Sequence, residues 1–215
     1  MLGTFMAAID LIGVAVFAVT GALVASRKQM DVFGFALLGT VTGLGGGTLR
    51  DLLLGIAPVL WVKEPTYVAI CVSVSVVVFF TAHIPESRYR LLLWLDAVGL
   101  SFFCIVGAQR ALAEDAGAFI AVVMGVMTAA FGGIVRDVLV GEVPLVLHKE
   151  IYVTAALAGS LVFVGLLTVS APETIAAVCG FAACFAVRGL ALRYGWALPT
   201  YRPRRGRTPE EMEKL

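Results

Sequence analysis

The chain has 215 residues, of which 60% are hydrophobic and 14% charged, and its mean hydropathy is +0.97. A water-soluble domain carries about 45–50% apolar and about 25% charged residues, so lipid must be the solvent for most of this chain. The net charge of +1 says nothing about partners, because the charges are confined to short connections; no nucleic-acid partner is expected, and two distant histidines, His83 and His148, argue against a histidine-based metal centre.

A spanning helix needs about 20 mostly apolar residues, and seven segments are read as spans. The first, 5–25, ends in small residues like a signal peptide, but no basic region precedes it and Asp10 interrupts it. It is therefore read as a permanent helix. The second, 32–54, follows the polar SRKQMD and contains three successive glycines. The third, 67–83, is short and follows GIAPVLWVKEPT; the fourth, 91–112, follows IPESRYR. The fifth, 117–140, follows AEDA, the sixth, 151–170, follows GEVPLVLHKE, and the seventh, 173–192, follows Ala171 and Pro172. Residues 194–215 are polar and proline-rich and read as a flexible tail. Cys71, Cys104, Cys179 and Cys184 all lie in apolar stretches without a C-x-x-C pair, so they read as buried inert thiols.

Lysine and arginine collect on one side of these spans, at Arg27 and Lys28, Arg88 and Arg90, Lys149, and Arg202, Arg204, Arg205 and Arg207. The positive-inside rule makes that side cytoplasmic, with the N-terminus outside and the C-terminus inside. The expected location is the inner (plasma) membrane of a prokaryote.

An internal repeat organises the chain. A shift of 86 residues aligns 10–64 with 96–150 without a gap and gives 18 identities in 55 positions. These include Asp10/Asp96, Phe17/Phe103, Gly46/Gly132, Gly47/Gly133, Arg50/Arg136, Asp51/Asp137, Gly55/Gly141 and Pro58/Pro144. Glycines and charges are not interchangeable aliphatics, so hydrophobicity alone does not produce this match. The expected fold is an all-α membrane protein of two three-helix repeats, 1–90 and 91–172, with a seventh helix at 173–193 and a cytoplasmic tail at 194–215. An odd number of helices per repeat inverts the second copy, and inverted repeats place a pathway or binding site where the copies meet.

The motif GLGGGTLRDLLLG at 43–55 is echoed by AAFGGIVRDVLVG at 129–141. Each glycine weakens a helix by about 1 kcal/mol relative to alanine, so Gly45, Gly46, Gly47, Gly132 and Gly133 permit a kink. One reading is a pore-lining helix pair with Thr42 and Thr128 on its polar face; the other is close helix packing by small residues. The charges Asp10, Arg50, Asp51, Asp96, Arg136 and Asp137 must face the bundle interior or water, because an unpaired charge in a bilayer costs about 2.5–3.5 kcal/mol. Neighbours on a helix point apart, so Arg50 is not expected to neutralise Asp51. Matched depth instead pairs Asp10 with Arg50 toward the outside and Asp96 with Arg136 toward the inside. Four acids against two arginines favour cations, although buried ion pairs that only orient helices fit the same residues.

Lys63 with Glu64 and Lys149 with Glu150 read as interfacial anchors in loops, and Arg110 and Arg188 as side chains reaching the head groups. Trp61, Trp94 and Trp196 read as an aromatic belt. No catalytic motif, cofactor site or metal site is present in the sequence.

In this duplicated GGGTLRD and GGIVRDVLVGEVP setting, residues 5 to 192 resemble prokaryotic members of the trimeric intracellular cation (TRIC) channel family. They equally resemble the bacterial duplicated glycine-rich membrane domains sometimes labelled glycine transporters. The resemblance implies a homotrimer with one pore per subunit, conducting potassium and less selectively sodium, with kinks at Gly45, Gly46 and Gly47 and at Gly132 and Gly133. Phe131 departs from the pattern, standing where the second repeat would have its first glycine. The basic lipid-binding motif of animal members has no convincing match. The expected function is thus a potassium channel in a lipid membrane, with a small-solute (glycine) transporter as the alternative.

Overall fold

The computed structural model describes residues 2–85, 87–148, 151–199 and 206. Among them the chain forms α-helices, two connecting turns of helix and no β-strand. The long helices are α1 (Leu2–Arg27), α2 (Val32–Leu53), α5 (Arg88–Ala113), α6 (Ala118–Leu139) and α8 (Glu173–Tyr194). Each is long and apolar enough to cross a membrane. Two 16-residue apolar helices, α4 (Thr66–Thr81) and α7 (Val153–Thr168), rise about 24 Å at 1.5 Å per residue, against about 30 Å of hydrocarbon. Every helix of these seven falls on one of the expected segments. The loop after α2 also holds α3 (Leu60–Lys63), and a 3₁₀ turn at Leu145–Leu147 takes the matching place after α6.

The repeat extends to backbone geometry at positions where the residues differ. Helices α1 and α5 both stop at a left-handed residue, Gln29 (φ 55°) and Asp115 (φ 56°). Met30 N–H then donates to the Ala25 carbonyl at 3.1 Å, and Ala116 N–H to the Ala111 carbonyl at 3.0 Å. Helices α2 and α6 end at Gly55 (φ 71°) and Gly141 (φ 70°), where a side chain would be strained. There Ile56 N–H reaches the Asp51 carbonyl at 2.8 Å, and Glu142 N–H reaches the Asp137 carbonyl at 2.9 Å.

Helices α1, α2, α5 and α6 form the centre, with α4 laid on α1 and α2, α7 on α5 and α6, and α8 against α5 and α7. Small residues set the crossings. A Cβ at Gly46 would strike the Thr128 carbonyl, and one at Gly132 the Thr42 carbonyl, so α2 and α6 cross backbone to backbone at reciprocal positions. Both helices run uninterrupted through these glycines. At the pseudo-symmetry axis the repeat-related rings of Phe17 and Phe103 meet at 5.1 Å between centroids.

Several expectations need correction. Arg188 does not reach the head groups: it is fully buried. Cys71, Cys104 and Cys184 are buried as expected, but Cys179 is exposed on α8. Lys63 ends α3 rather than lying in an irregular loop. Lys149, Glu150 and the tail arginines lie outside the described residues.

Candidate functional site

The two RD pairs sit near the ends of α2 and α6, and each arginine folds back onto its own neighbour. Arg50 Nε and Nη2 donate to Asp51 Oδ1 at 2.9 and 2.7 Å. Arg136 Nε donates to Asp137 Oδ1 at 2.7 Å, and its Nη2 to Oδ2 at 3.2 Å. The expectation that adjacent residues cannot pair is therefore wrong. Divergence of Cβ directions constrains short side chains, whereas three methylenes let the guanidinium curl back to the next carboxylate. The second oxygen of each aspartate holds the returning chain. Asp51 Oδ2 accepts from Leu60 N–H at 2.9 Å, and Asp137 Oδ2 from Leu145 N–H at 3.1 Å.

The contacting residues, Leu60 and Leu145, are 85 apart although Lys63/Lys149 and Glu64/Glu150 still match at 86; beyond them one residue is missing from the second connection, and Tyr67 and Tyr152 become equivalent at a spacing of 85. A gapless alignment hides this tyrosine pair. Tyr67 donates its hydroxyl to Asp10 Oδ2 at 3.0 Å, and Tyr152 faces Asp96 near Gly133.

The two clusters then diverge. In the second, Arg136 Nη1 donates to Asp96 Oδ1 at 2.9 Å and to Thr20 Oγ1 at 3.1 Å, so the expected Asp96–Arg136 pair is present. Arg136 and Asp96 are 0% exposed. In the first, Asp10 and Arg50 make no direct ion pair, and Arg50 Nη1 is buried without a hydrogen-bond partner among the described residues. One sequence difference accompanies this: the repeat counterpart of Thr20 is Val106, whose side chain has no acceptor.

Space follows the same asymmetry. A cavity of about 20 Å³ is lined by Asp10, Arg50, Asp51, Gly47, Tyr67 and Phe103 among others, and is large enough for one water. It shares Asp10, Leu60 and Tyr67 with a larger cavity of about 170 Å³ that also touches Glu64, Gln109 and Arg110. Arg110 thus faces a vestibule. Thr42 donates to the Leu38 carbonyl at 2.6 Å, while Thr128 Oγ1 has no hydrogen-bond partner among the described residues; both pack against glycines of the neighbouring helix, Gly21 and Gly107. Gly47 and Gly133 face the guanidinium groups of Arg50 and Arg136, whereas Gly45 and Gly46 face the opposing helix.

A helical membrane protein with duplicated arginine–aspartate clusters at its centre is the class that this fold and site define. The family model described as "Glycine transporter" matches twice, at residues 7–83 and 93–168, one match for each repeat. The chain is similar to the UPF0126 inner membrane protein YadS of Escherichia coli K12, 41% identical over 198 residues that cover 90% of this chain and 94% of that one. It is also similar to a UPF0126 membrane protein of Vibrio cholerae, 39% identical over 197 residues, 90% and 81% of the two chains. Among solved structures it matches the TRIC trimeric intracellular cation channel orthologue from Rhodobacter sphaeroides, with TM-score 0.88, 58% identity, and 90% and 100% of the two chains covered. A prokaryotic TRIC channel solved in 0.5 M KCl matches with TM-score 0.84 and 32% identity over 91% and 99%. The chain belongs to this family, the UPF0126 and TRIC channel membrane proteins.

Proposed function

We propose that the protein is a monovalent-cation channel that assembles as a homotrimer, with a separate path through each subunit. The path enters the outer vestibule, passes Asp10, Arg50 and Asp51, crosses the Phe17–Phe103 level and leaves past Asp96, Arg136 and Asp137. The observation that carries the reading is the pair of buried charge clusters on opposite sides of the backbone crossing of α2 and α6, with a polar cavity leading to one of them. Buried charge in a membrane span marks an ion or solute path more often than a structural strut. Along the path four buried carboxylates face two buried arginines, Arg50 and Arg136, a balance that leaves it net negative and favours potassium and sodium over anions. The TRIC relatives are named as cation channels, which supports the same class.

In this reading all seven apolar helices span the inner membrane, with the N-terminus outside and the tail inside. The shorter α4 and α7 span by resting against longer neighbours and using their flanking turns. Cysteines introduced at Thr4 and Thr208 should label from opposite faces of intact cells, and labelling from one face would mean an even number of spans. Unitary potassium current from purified protein in planar bilayers tests the channel itself. The family model's description favours a second reading, transport of glycine through the same site. Glycine uptake into liposomes at carrier rates without unitary currents would select it.

A further inference from the structure

Arg188 stands on α8, the helix outside the repeat, and is fully buried. Its Nη1 donates to the Ile151 carbonyl at 3.0 Å, and its guanidinium lies 5.1 Å from the centroid of the Tyr152 ring. Tyr152 is itself only 2% exposed. Its hydroxyl, Asp96 Oδ1 and Arg136 Nη2 converge on Gly133, where a Cβ would stand 3.4 to 3.6 Å from all three. Helix α8 packs on α5 and α7, so Arg188 carries a helix from outside the repeat into the inner charge cluster.

The outer cluster has no such device. Tyr67 holds Asp10 in the equivalent way, but among the described residues no arginine is stacked on its ring. The outer cluster has a cavity beside it, lined by Asp10, Arg50 and Tyr67, and Arg50 Nη1 there has no hydrogen-bond partner among the described residues. Two residues distinguish the inner cluster from the outer one: Thr20, which accepts from Arg136 Nη1, and Arg188, which lies over the Tyr152 ring.

We infer that Arg188 is a positioning residue for the inner constriction: by clamping Tyr152 against Asp96 and Arg136, the seventh helix sets how readily the inner half of the path opens. The clamp has two parts. The carbonyl bond fixes the guanidinium to the turn that precedes α7, and the cation then sits on one face of the ring. A cation over an aromatic face draws electron density from it, which makes the Tyr152 hydroxyl a stronger donor toward Asp96. A solute leaving past Asp96 must displace that hydroxyl, and Arg188 opposes the displacement without itself lining the path. The inference rests on the two clusters forming a path but not on which solute passes.

The test separates opening from conduction. In a Cys179→Ser background, a cysteine placed at Gly133 reports access to the inner cluster, because that position has room for a side chain. A small water-soluble thiol reagent applied from the cytoplasmic side should modify it slowly in the parent and at least about threefold faster in Arg188→Gln. Arg188→Lys, whose ammonium can still sit on the ring, should return most of the protection. Single-channel recording should show raised open probability in Arg188→Gln at unchanged unitary conductance. If Arg188→Gln does not assemble, Tyr152→Leu removes the clamped ring and should give the same acceleration. Unchanged modification rates in whichever of these variants assembles would overturn the inference, as would a changed unitary conductance at constant open probability. Absence of current in the parent would instead remove the channel reading and leave the accessibility result standing.

Discussion

Of the three consecutive glycines in α2, only the middle one is required by packing, and single alanine substitutions should separate them. At Gly45 the nearest atom to an added Cβ is the Gly132 Cα at 3.5 Å, and at Gly47 it is Arg50 Nη2 at 3.7 Å, both ordinary contacts. At Gly46 the new methyl would overlap the Thr128 carbonyl, which belongs to the backbone of α6 and cannot rotate away. The helices must separate there, and overpacking of this kind costs about 1–3 kcal/mol. Alanine in place of glycine returns up to about 1 kcal/mol of helix propensity at each site. Gly45→Ala and Gly47→Ala should therefore be neutral or slightly stabilising, while Gly46→Ala should be destabilised by up to about 2 kcal/mol after the full offset. Thermal unfolding of the detergent-solubilised oligomer, followed by size-exclusion chromatography after heating, measures the difference. Equal midpoints for the three variants would refute the backbone-crossing account, and the glycines would then act through helix flexibility instead.

Two further outcomes follow from the charge clusters. A double-mutant cycle on Asp96 and Arg136, read as oligomer stability, should show a coupling of at least about 0.5 kcal/mol, because removing one partner leaves the other buried and unpaired; the same cycle on Asp10 and Arg50 should give a smaller term, and equal terms would contradict the asymmetry described here. Val106→Thr should supply Arg50 with the acceptor that Thr20 gives Arg136, raising stability by up to about 1.5–3 kcal/mol, the range for hydrogen bonds to charged groups, and lowering flux through the outer half; a drop in stability would mean that the hydroxyl does not reach the guanidinium.

Much of the fold was legible because the bilayer and the repeat constrain it together. Hydropathy located each of the seven apolar helices to within a few residues, and the identities Asp10/Asp96, Arg50/Arg136 and Gly46/Gly132 marked residues that lie at the centre. Three features escaped for different physical reasons. The pairing of Arg50 with Asp51 depends on side-chain length, which helical periodicity does not describe. The Tyr67/Tyr152 equivalence was hidden by a one-residue deletion between Glu64 and Tyr67, where Ile151 alone stands against Pro65 and Thr66, since a gapless shift cannot follow a shortened connection. Arg188 was misread because position near a helix end suggests an interfacial side chain, whereas burial depends on which neighbours α8 packs against.

These misses share a cause that bears on the mechanism. A duplicated sequence reports what the two halves have in common, and the common part is the scaffold: the crossing glycines, the arginine–aspartate pairs, the aspartate that holds each returning chain. A path with two equivalent clusters would treat its two ends alike. What makes the ends unequal lies in the residues that do not repeat. Thr20 opposite Val106 decides whether the arginine has a third partner, and Arg188 has no counterpart because its helix was never duplicated. The spare donor on Arg50 and the third partner of Arg136 therefore accompany departures from symmetry, and in the proposed channel direction-dependent behaviour has to be sought at Thr20, Val106 and Arg188 rather than in the motif itself.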